Sequence, residues 1–409
     1  MKKLLEETRK ELRPDKNIIF KVDDTVKKIN KLLKEQGIKA ECVKGGSIAK
    51  GTFLKNDYDA DLFVKFDYSL KDEPLSDLLE NALKKSFKME RVHGSRDYFQ
   101  IHDEITIELV PVLKITNYKK ALNVTDMSPL HVEYVKKKLK QGQADDIRLA
   151  KQFCKSAKVY GAESYIKGFS GHIIDLLIIY YGSFEQLLMQ AAVWGERVII
   201  DVEKHLKNPL KELNDSKTQS PLIIVDPVQP DRNAAAAMSR EQFEAFKNMC
   251  REFLKKPSKE FFKVKNIEKR EIENKLKKEE ELYFIEAQAL KGKKDVVGSK
   301  LMKTYEFIKA EIEKNEFEII KSDWEYKDKG TFYFIIKKEV LPETIILRGP
   351  PTSEKEGVDR FKEKHEKTFE KNKRLYAEEQ RKYRTIKSLI KDLLKEKYVL
   401  ERVKKISII

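Results

Sequence analysis

Residues 44–66 read KGGSIAKGTFLKNDYDADLFVKF, and the residue types and spacing there point to phosphate chemistry. Gly46 and Ser47 form a turn. After eleven intervening residues, Asp59 and Asp61 flank Ala60 and lead into the apolar run LFVKF, 62–66. Acids at i and i+2 on a strand project to the same face. Two carboxylates held that close repel unless a cation lies between them, so a divalent ion is the natural occupant. A glycine followed by a small hydroxyl residue lets the backbone approach a triphosphate and donate N–H groups to it. Further on, Glu108 interrupts the otherwise apolar TIELVPVLKI, 106–115. A charge in a buried strand is costly unless it is paired or metal-bound. Three carboxylates on two adjacent strands, facing a Gly-Ser turn, describe a two-metal site for in-line phosphoryl transfer. Taken singly the pieces are ordinary: a turn, a solvated Asp-x-Asp loop, an edge-strand acid in water. The ordered set is what specifies chemistry.

The surrounding sequence supplies elements to hold these groups. Apolar residues at helical spacing predict helices at Lys2–Leu12 and Ile18–Gln36, and strands follow at 62–66 and 106–115 with a helix between them. Helix, turn, strand, helix, strand makes a small α/β domain over 1–128. The chain then turns helical over 129–257, with helices expected at 131–140, 145–157, 169–181 and 240–254 and the strand PLIIVDP at 221–227. Alternating FEIIKS, FYFIIKK and TIILR around the helix-like 301–315 suit a ferredoxin-like body at 258–350. Residues 351–409 read as a charged helical tail, with 18 Lys or Arg against 11 Asp or Glu. The fold class expected is therefore multidomain, α/β and α+β.

Length and composition set the frame for this. A chain of 409 residues exceeds one ordinary core. A net charge of +16 and a pI near 9.3 favour a polyanionic partner, although a thermophile's Lys/Glu-rich surface has a similar composition. Cys42, Cys154 and Cys250 are scattered without metal-ligand spacing and read as reduced thiols in cores. No apolar run approaches the roughly 20 residues that span a bilayer, and the start of the chain reads as a charged helix rather than a signal peptide. A soluble, cytoplasmic protein is expected.

The ordered set around Gly46, Asp59, Asp61 and Glu108 resembles the signature of the polymerase-β superfamily of nucleotidyltransferases. DMSPLHVEYV (126–135), the run 148–184, DPVQPDRNAAAAMS (226–239) and CREFLKKPSKEFF (250–262) resemble consecutive blocks of the class I, archaeal-type CCA-adding enzymes. The likeness covers roughly residues 40–265 and beyond that is one of layout: nucleotidyltransferase palm, helical neck, ferredoxin-like body, helical tail. It implies template-independent addition of C, C and A to the 3′ end of tRNA from CTP and ATP. It also implies Asp59, Asp61 and Glu108 as ligands of two Mg²⁺ ions, with Gly46, Ser47 and Lys50 at the nucleotide phosphates. His131, Lys151 and Tyr160 would complete the nucleotide site, and Arg232 would read the incoming base edge together with RNA phosphate. Three positions depart from the common family pattern: Lys50 stands for arginine, Ala60 for a larger aliphatic residue, and Glu108 for aspartate.

Apart from the resemblance, Lys151 reads as a solvated lysine, Tyr160 as packing, His131 as a helix-start residue and Arg232 as a cap or surface ion pair. His172 reads as structural. The partners implied are tRNA, through its acceptor end and elbow, and nucleoside triphosphates, with no membrane; a solvated helical hairpin or an oligomerisation arm, the latter consistent with a homodimer, is the plainer reading of the tail. A poly(A) polymerase-like or oligoadenylate-synthesising transferase is the alternative activity, and the GFSG and DRNAAAA blocks argue against it.

Overall fold

The computed structural model describes residues 1–55, 59–102 and 105–409 and divides into two compact units, Met1–Lys265 and Asn266–Ile409. The first unit opens with two helices, α1 (Lys2–Leu12) and α2 (Lys16–Glu35). The carboxylate of Asp15 caps α2 by accepting the Asn17 N–H at 2.9 Å. Strand β1 (Ala40–Lys44), the short helix α3 (Gly46–Lys50), β2 (Asp59–Phe66) and helix α4 (Leu75–Leu83) follow. Strands β3 (Met89–Val92), β4 (Tyr98–His102) and β5 (Thr106–Leu113) complete a five-stranded sheet in the order β1-β2-β5-β4-β3. Only β2 and β5 run parallel, because α4 and the β3–β4 hairpin separate them in sequence.

Strand period sorts the side chains of this sheet. Leu62, Val64 and Phe66 of β2 and Ile107 and Leu109 of β5 enter a core shared with Val22, Ile29 and Leu33 of α2 and Leu79 and Leu83 of α4. Asp59 and Asp61 of β2 and Glu108 of β5 therefore lie on the opposite face. Farther along that face Phe63 and Val112 pack against Val132, which belongs to the next helix, α5 (Ser128–Lys138).

The helical half of the unit continues with α6 (Gln143–Ser156), α7 (Gly171–Tyr181) and α8 (Phe184–Ala192). The parallel pair β6 (Val198–Asp201) and β7 (Leu222–Val225) and the helix α9 (Arg240–Lys255) complete it. Phe153, Phe169, Phe184, Phe246 and Phe253 fill its core, and Trp194 stacks on Phe243 at 5.3 Å. Leu5 of α1 joins this core as well, and Arg9 reaches Asp146 and Glu185 at 2.8 Å each. The sequence reading grouped both N-terminal helices with 1–128, but α1 packs on the helices. An apolar stripe shows that a helix has a buried side without showing which core receives it.

In the second unit β8 (Glu280–Gln288), helix α10 (Lys294–Lys314), β9 (Ile319–Tyr326) and β10 (Lys329–Lys337) follow in order. Next come β11 (Thr344–Pro351), helix α11 (Lys355–Lys364), β12 (Thr368–Lys371), β13 (Arg374–Gln380), helix α12 (Ile386–Leu393) and β14 (Lys405–Ile408). Strand order β14-β8-β10-β9 with α10 and α12 is the βαββαβ plan of a ferredoxin-like module. Two expectations need correction. The module does not end at 350: its second helix and last strand come from the segment read as a tail. Nor is that segment helical throughout, since β12 and β13 form a hairpin whose β13 pairs with β11, making a separate three-stranded sheet inserted after β10. The turn joining β12 to β13 is made by Asn372 and Lys373, both at positive φ (53° and 57°). Such turns ordinarily carry glycine, and its absence left the hairpin without its usual sequence mark.

Candidate functional site

Parallel pairing places Asp61 directly opposite Glu108, and Asp59 opposite Thr106. Neighbouring strands lie about 4.8 Å apart, so the Asp61 and Glu108 carboxylates share one small volume. Glu108 accepts a hydrogen bond from Gln100 Nε2 at 2.7 Å, which fixes its orientation. Burial and the Glu108 charge push the Asp61 carboxyl up to about 6, and the Lys50 ammonium works in the opposite direction. The cluster's donors are all oxygens, the set that suits a hard divalent ion such as Mg²⁺. Asp59, at the exposed start of β2, completes the three carboxylates.

Gly46 sits against this cluster at φ +48°, where a Cβ would meet Asp61 Oδ2 at 1.7 Å. Only glycine fits there. The N–H of Gly45 donates to the Asp61 carbonyl at 2.7 Å, tying the turn to β2. Ser47 follows in α3, and its carbonyl accepts the Thr52 N–H at 2.9 Å. The helical half of the unit grips the far end of this turn. Lys50 Nζ donates to the fully buried Asp175 of α7, and Arg148 of α6 donates to the Gly51 carbonyl. One turn along α6, Lys151 Nζ donates to the Thr52 carbonyl at 3.1 Å and lies 3.3 Å from its hydroxyl.

Lys151 is thus buried behind the turn. Tyr160 is beside it: a Cβ on Gly171 would stand 3.3 Å from the Tyr160 hydroxyl oxygen and 3.7 Å from Lys151 Cε. The Lys155 ammonium lies 5.2 Å from the Tyr160 ring centroid.

Facing the carboxylates is a second wall. His131, in the first turn of α5, has Nε2 2.9 Å from Asp226 Oδ2 and 3.0 Å from Oδ1. Arg232 donates to Asp226 Oδ2 at 2.8 Å, and the N–H groups of Val228 and Gln229 donate to Oδ1 at 2.9 and 3.1 Å. Burial of Asp226 opposes its ionisation, but hydrogen bonding and charge from His131 hold its carboxyl well below the usual range. His172, in the first turn of α7, meets the His131 ring edge-on at 4.7 Å between centroids. Burial lowers the pKa of its imidazole, against the pull of Asp226.

The two walls enclose a cleft of about 710 Å³, lined by Gly46, Lys50 and Asp61 on one side and His131, His172, Gln229 and Arg232 on the other. Phe63, Val110, Met127 and Val132 also line it. Of the residues expected from the sequence, Gly46, Lys50, Asp61, His131 and Arg232 converge on the cleft. Asp59 and Glu108 adjoin it through strand pairing, Ser47 through α3, and Lys151 and Tyr160 stand behind the Gly46–Gly51 turn. The sequence reading passed over Asp175 and Asp226 and assigned His172 a purely structural place. A signal existed for both acids. Asp175 is the single charge in GHIIDLLIIYY, and Asp226 directly follows the fully buried strand LIIV. A lone acid in such a run needs a partner.

Comparison with known proteins gives a consistent result. A nucleotidyltransferase domain model matches residues 26–154, and a model of the second domain of tRNA nucleotidyltransferases matches 145–263. A model of the C-terminal domain of CCA-adding enzymes matches 281–405, spanning the segments read as body and tail. The CCA-adding enzyme of Methanocaldococcus jannaschii is 32% identical over an alignment of 417 positions that covers 96% of this chain and 91% of that protein. That of Nanoarchaeum equitans is 35% identical over 339 residues, covering 81% and 82%. Among solved structures, the Cid1 poly(U) polymerase bound to Mg 3′-dATP superposes with a TM-score of 0.52 at 14% identity, covering 64% of this chain and 98% of that one. At that identity the likeness establishes the nucleotidyltransferase fold.

Proposed function

The chain belongs to the family of CCA-adding enzymes, and from that premise we propose how its cleft performs nucleotidyl transfer to tRNA. The reaction adds C, C and A to the 3′ end of tRNA from CTP and ATP without a nucleic-acid template. In each round a bond forms between the terminal 3′ oxygen and the α-phosphorus, and the α–β anhydride bond breaks with release of pyrophosphate. The observation that carries the assignment of the site is the register of Asp61 against Glu108 beside a turn whose Gly46 admits no side chain.

Asp59, Asp61 and Glu108 would hold Mg²⁺, which when bound lowers the pKa of the attacking hydroxyl and neutralises the triphosphate. The chain's own groups do the positioning. Gly46 and Ser47 present backbone N–H groups and a hydroxyl to the phosphates. Lys50 keeps one N–H on Asp175 and has two more to offer a phosphate oxygen. His131, oriented by Asp226, extends the phosphate wall. The Arg232 guanidinium, held through one nitrogen, has further donors for the base edge or an RNA phosphate. Lys151 and Tyr160 support the turn from behind, where the Lys151 charge still acts on Asp61.

The basic C-terminal segment suits a tRNA elbow, recognised through phosphates and shape. Among the described residues no helix is long and apolar enough to cross a membrane, and a tRNA substrate is consistent with a cytoplasmic enzyme. Asp61→Ala tests the assignment: nucleotide incorporation should vanish while tRNA is still retained on a filter. Retained incorporation would remove Asp61 from the site.

A further inference from the structure

His131, His172 and Asp226 come from three separate segments, the first turns of α5 and α7 and the residue after β7, and they converge on one point of the cleft wall. We propose that they form a transition-metal site of two imidazoles and one carboxylate, separate from the all-oxygen set of Asp59, Asp61 and Glu108, and that its occupation displaces Arg232. One ligand atom from each of the three lies within 4.8 Å of the other two. His131 Nε2 is 2.9 Å and His172 Nε2 3.8 Å from the same oxygen, Asp226 Oδ2. Ligands around a tetrahedral ion at about 2.0–2.1 Å stand roughly 3.4 Å apart, so side-chain adjustments of about 1.4 Å or less gather the set.

Two further observations point to a ligand there. The Nε2 atom of His172 is buried and has no hydrogen-bond partner among the described residues, an unusual state for a polar atom aimed into a cluster. A metal takes its lone pair directly. Asp226 is also built like a metal carboxylate. Val228 and Gln229 fix Oδ1 through their N–H groups, which leaves Oδ2 turned toward both imidazoles. Two nitrogens and an oxygen favour Zn²⁺, Co²⁺ or Ni²⁺ over Mg²⁺. The cleft provides the entry path.

Arg232 now donates to Asp226 Oδ2, the same oxygen that the ion would take. Its side chain is 43% exposed and can swing into the cleft. Metal and guanidinium therefore compete for one oxygen, and an occupied site withdraws His131 and Asp226 from the nucleotide wall. Transition metal should then inhibit nucleotidyl transfer even when Mg²⁺ is saturating.

The test is a Co²⁺ titration of the full chain, without nucleotide and with excess Mg²⁺, followed by visible absorption. One equivalent of Co²⁺ should give the absorption of a nitrogen-containing tetrahedral site, and Zn²⁺ should bleach it. Asp61→Asn should leave the signal in place, whereas His172→Ala and His172→Gln, each checked for an unchanged melting temperature, should abolish it. Arg232→Ala should tighten Co²⁺ binding by about tenfold, because the competing cation is gone. Three outcomes overturn the proposal: no stoichiometric absorption, absorption that survives both His172 variants, or absorption lost in Asp61→Asn. The readout is binding alone, so it is independent of the tRNA activity.

Discussion

The cleft has two walls, and they are held in place by different means. Asp59, Asp61 and Glu108 owe their positions to backbone: a two-residue strand period and the pairing of β2 with β5. His131, His172 and Arg232 owe theirs to side-chain contacts converging on Asp226, across segments about 95 residues apart in the case of His131. A wall set by strand register tolerates little relaxation, so a change there should act nearly all or none. A wall set by hydrogen bonds to one carboxylate can yield by degrees.

The largest effect should follow from the first wall. Asp61→Ala should lower the rate of CMP incorporation on the order of 10³-fold or more, as expected for loss of a metal carboxylate in phosphoryl transfer. Gly46→Ala comes next. Its methyl would stand 1.7 Å from Asp61 Oδ2, so the turn or the carboxylate must shift by about 1 Å or more, and such displacements cost on the order of 10²-fold in turnover. A rate within tenfold of wild type would show that the wall relaxes after all, and would erase the contrast.

A change to the second wall should be milder. Asp226→Asn keeps the shape of the hub but weakens its hold on His131 and Arg232. We expect about a tenfold rise in the KM for CTP and ATP with little change in turnover at saturation, measured by steady-state incorporation. Equal losses in turnover and KM would mean that Asp226 acts on the reacting groups themselves.

The smallest effect lies outside both walls. Lys371→Ala with Lys373→Ala, on the β12–β13 turn, should weaken tRNA binding only a few-fold and lower its salt dependence by up to about one charge each. Nucleotide KM values should not move. Point substitutions are the right probe here, since removing 352–390 would also delete β13 and most of the buried face of α12.

How legible each region was follows the same division. Asp59, Asp61 and Glu108 could be read from sequence because an i, i+2 pair and a lone strand acid are local patterns whose geometry is fixed in advance. The meeting of His172 with His131 and Asp226 depends on how α5, α7 and the loop after β7 pack, and no spacing records that. Lys151 illustrates a different limit. Resemblance assigns it to the nucleotide site, but its grip on Thr52 from behind the Gly46–Gly51 turn is a matter of side-chain reach. In the second unit the strands β8, β9 and β10 carry clear alternation. The insertion β11–β13 interrupts the ferredoxin-like pattern and pushes its last helix and strand into a segment where charge obscures the period.

The measurement that bears most directly on this account is incorporation of labelled CTP and ATP into a tRNA lacking its 3′ CCA, with Mg²⁺ present and products resolved at single-nucleotide length. The expected result is addition of C, C and A followed by a stop, lost entirely in Asp61→Ala. Unlimited addition of A, or incorporation that survives Asp61→Ala, would contradict it.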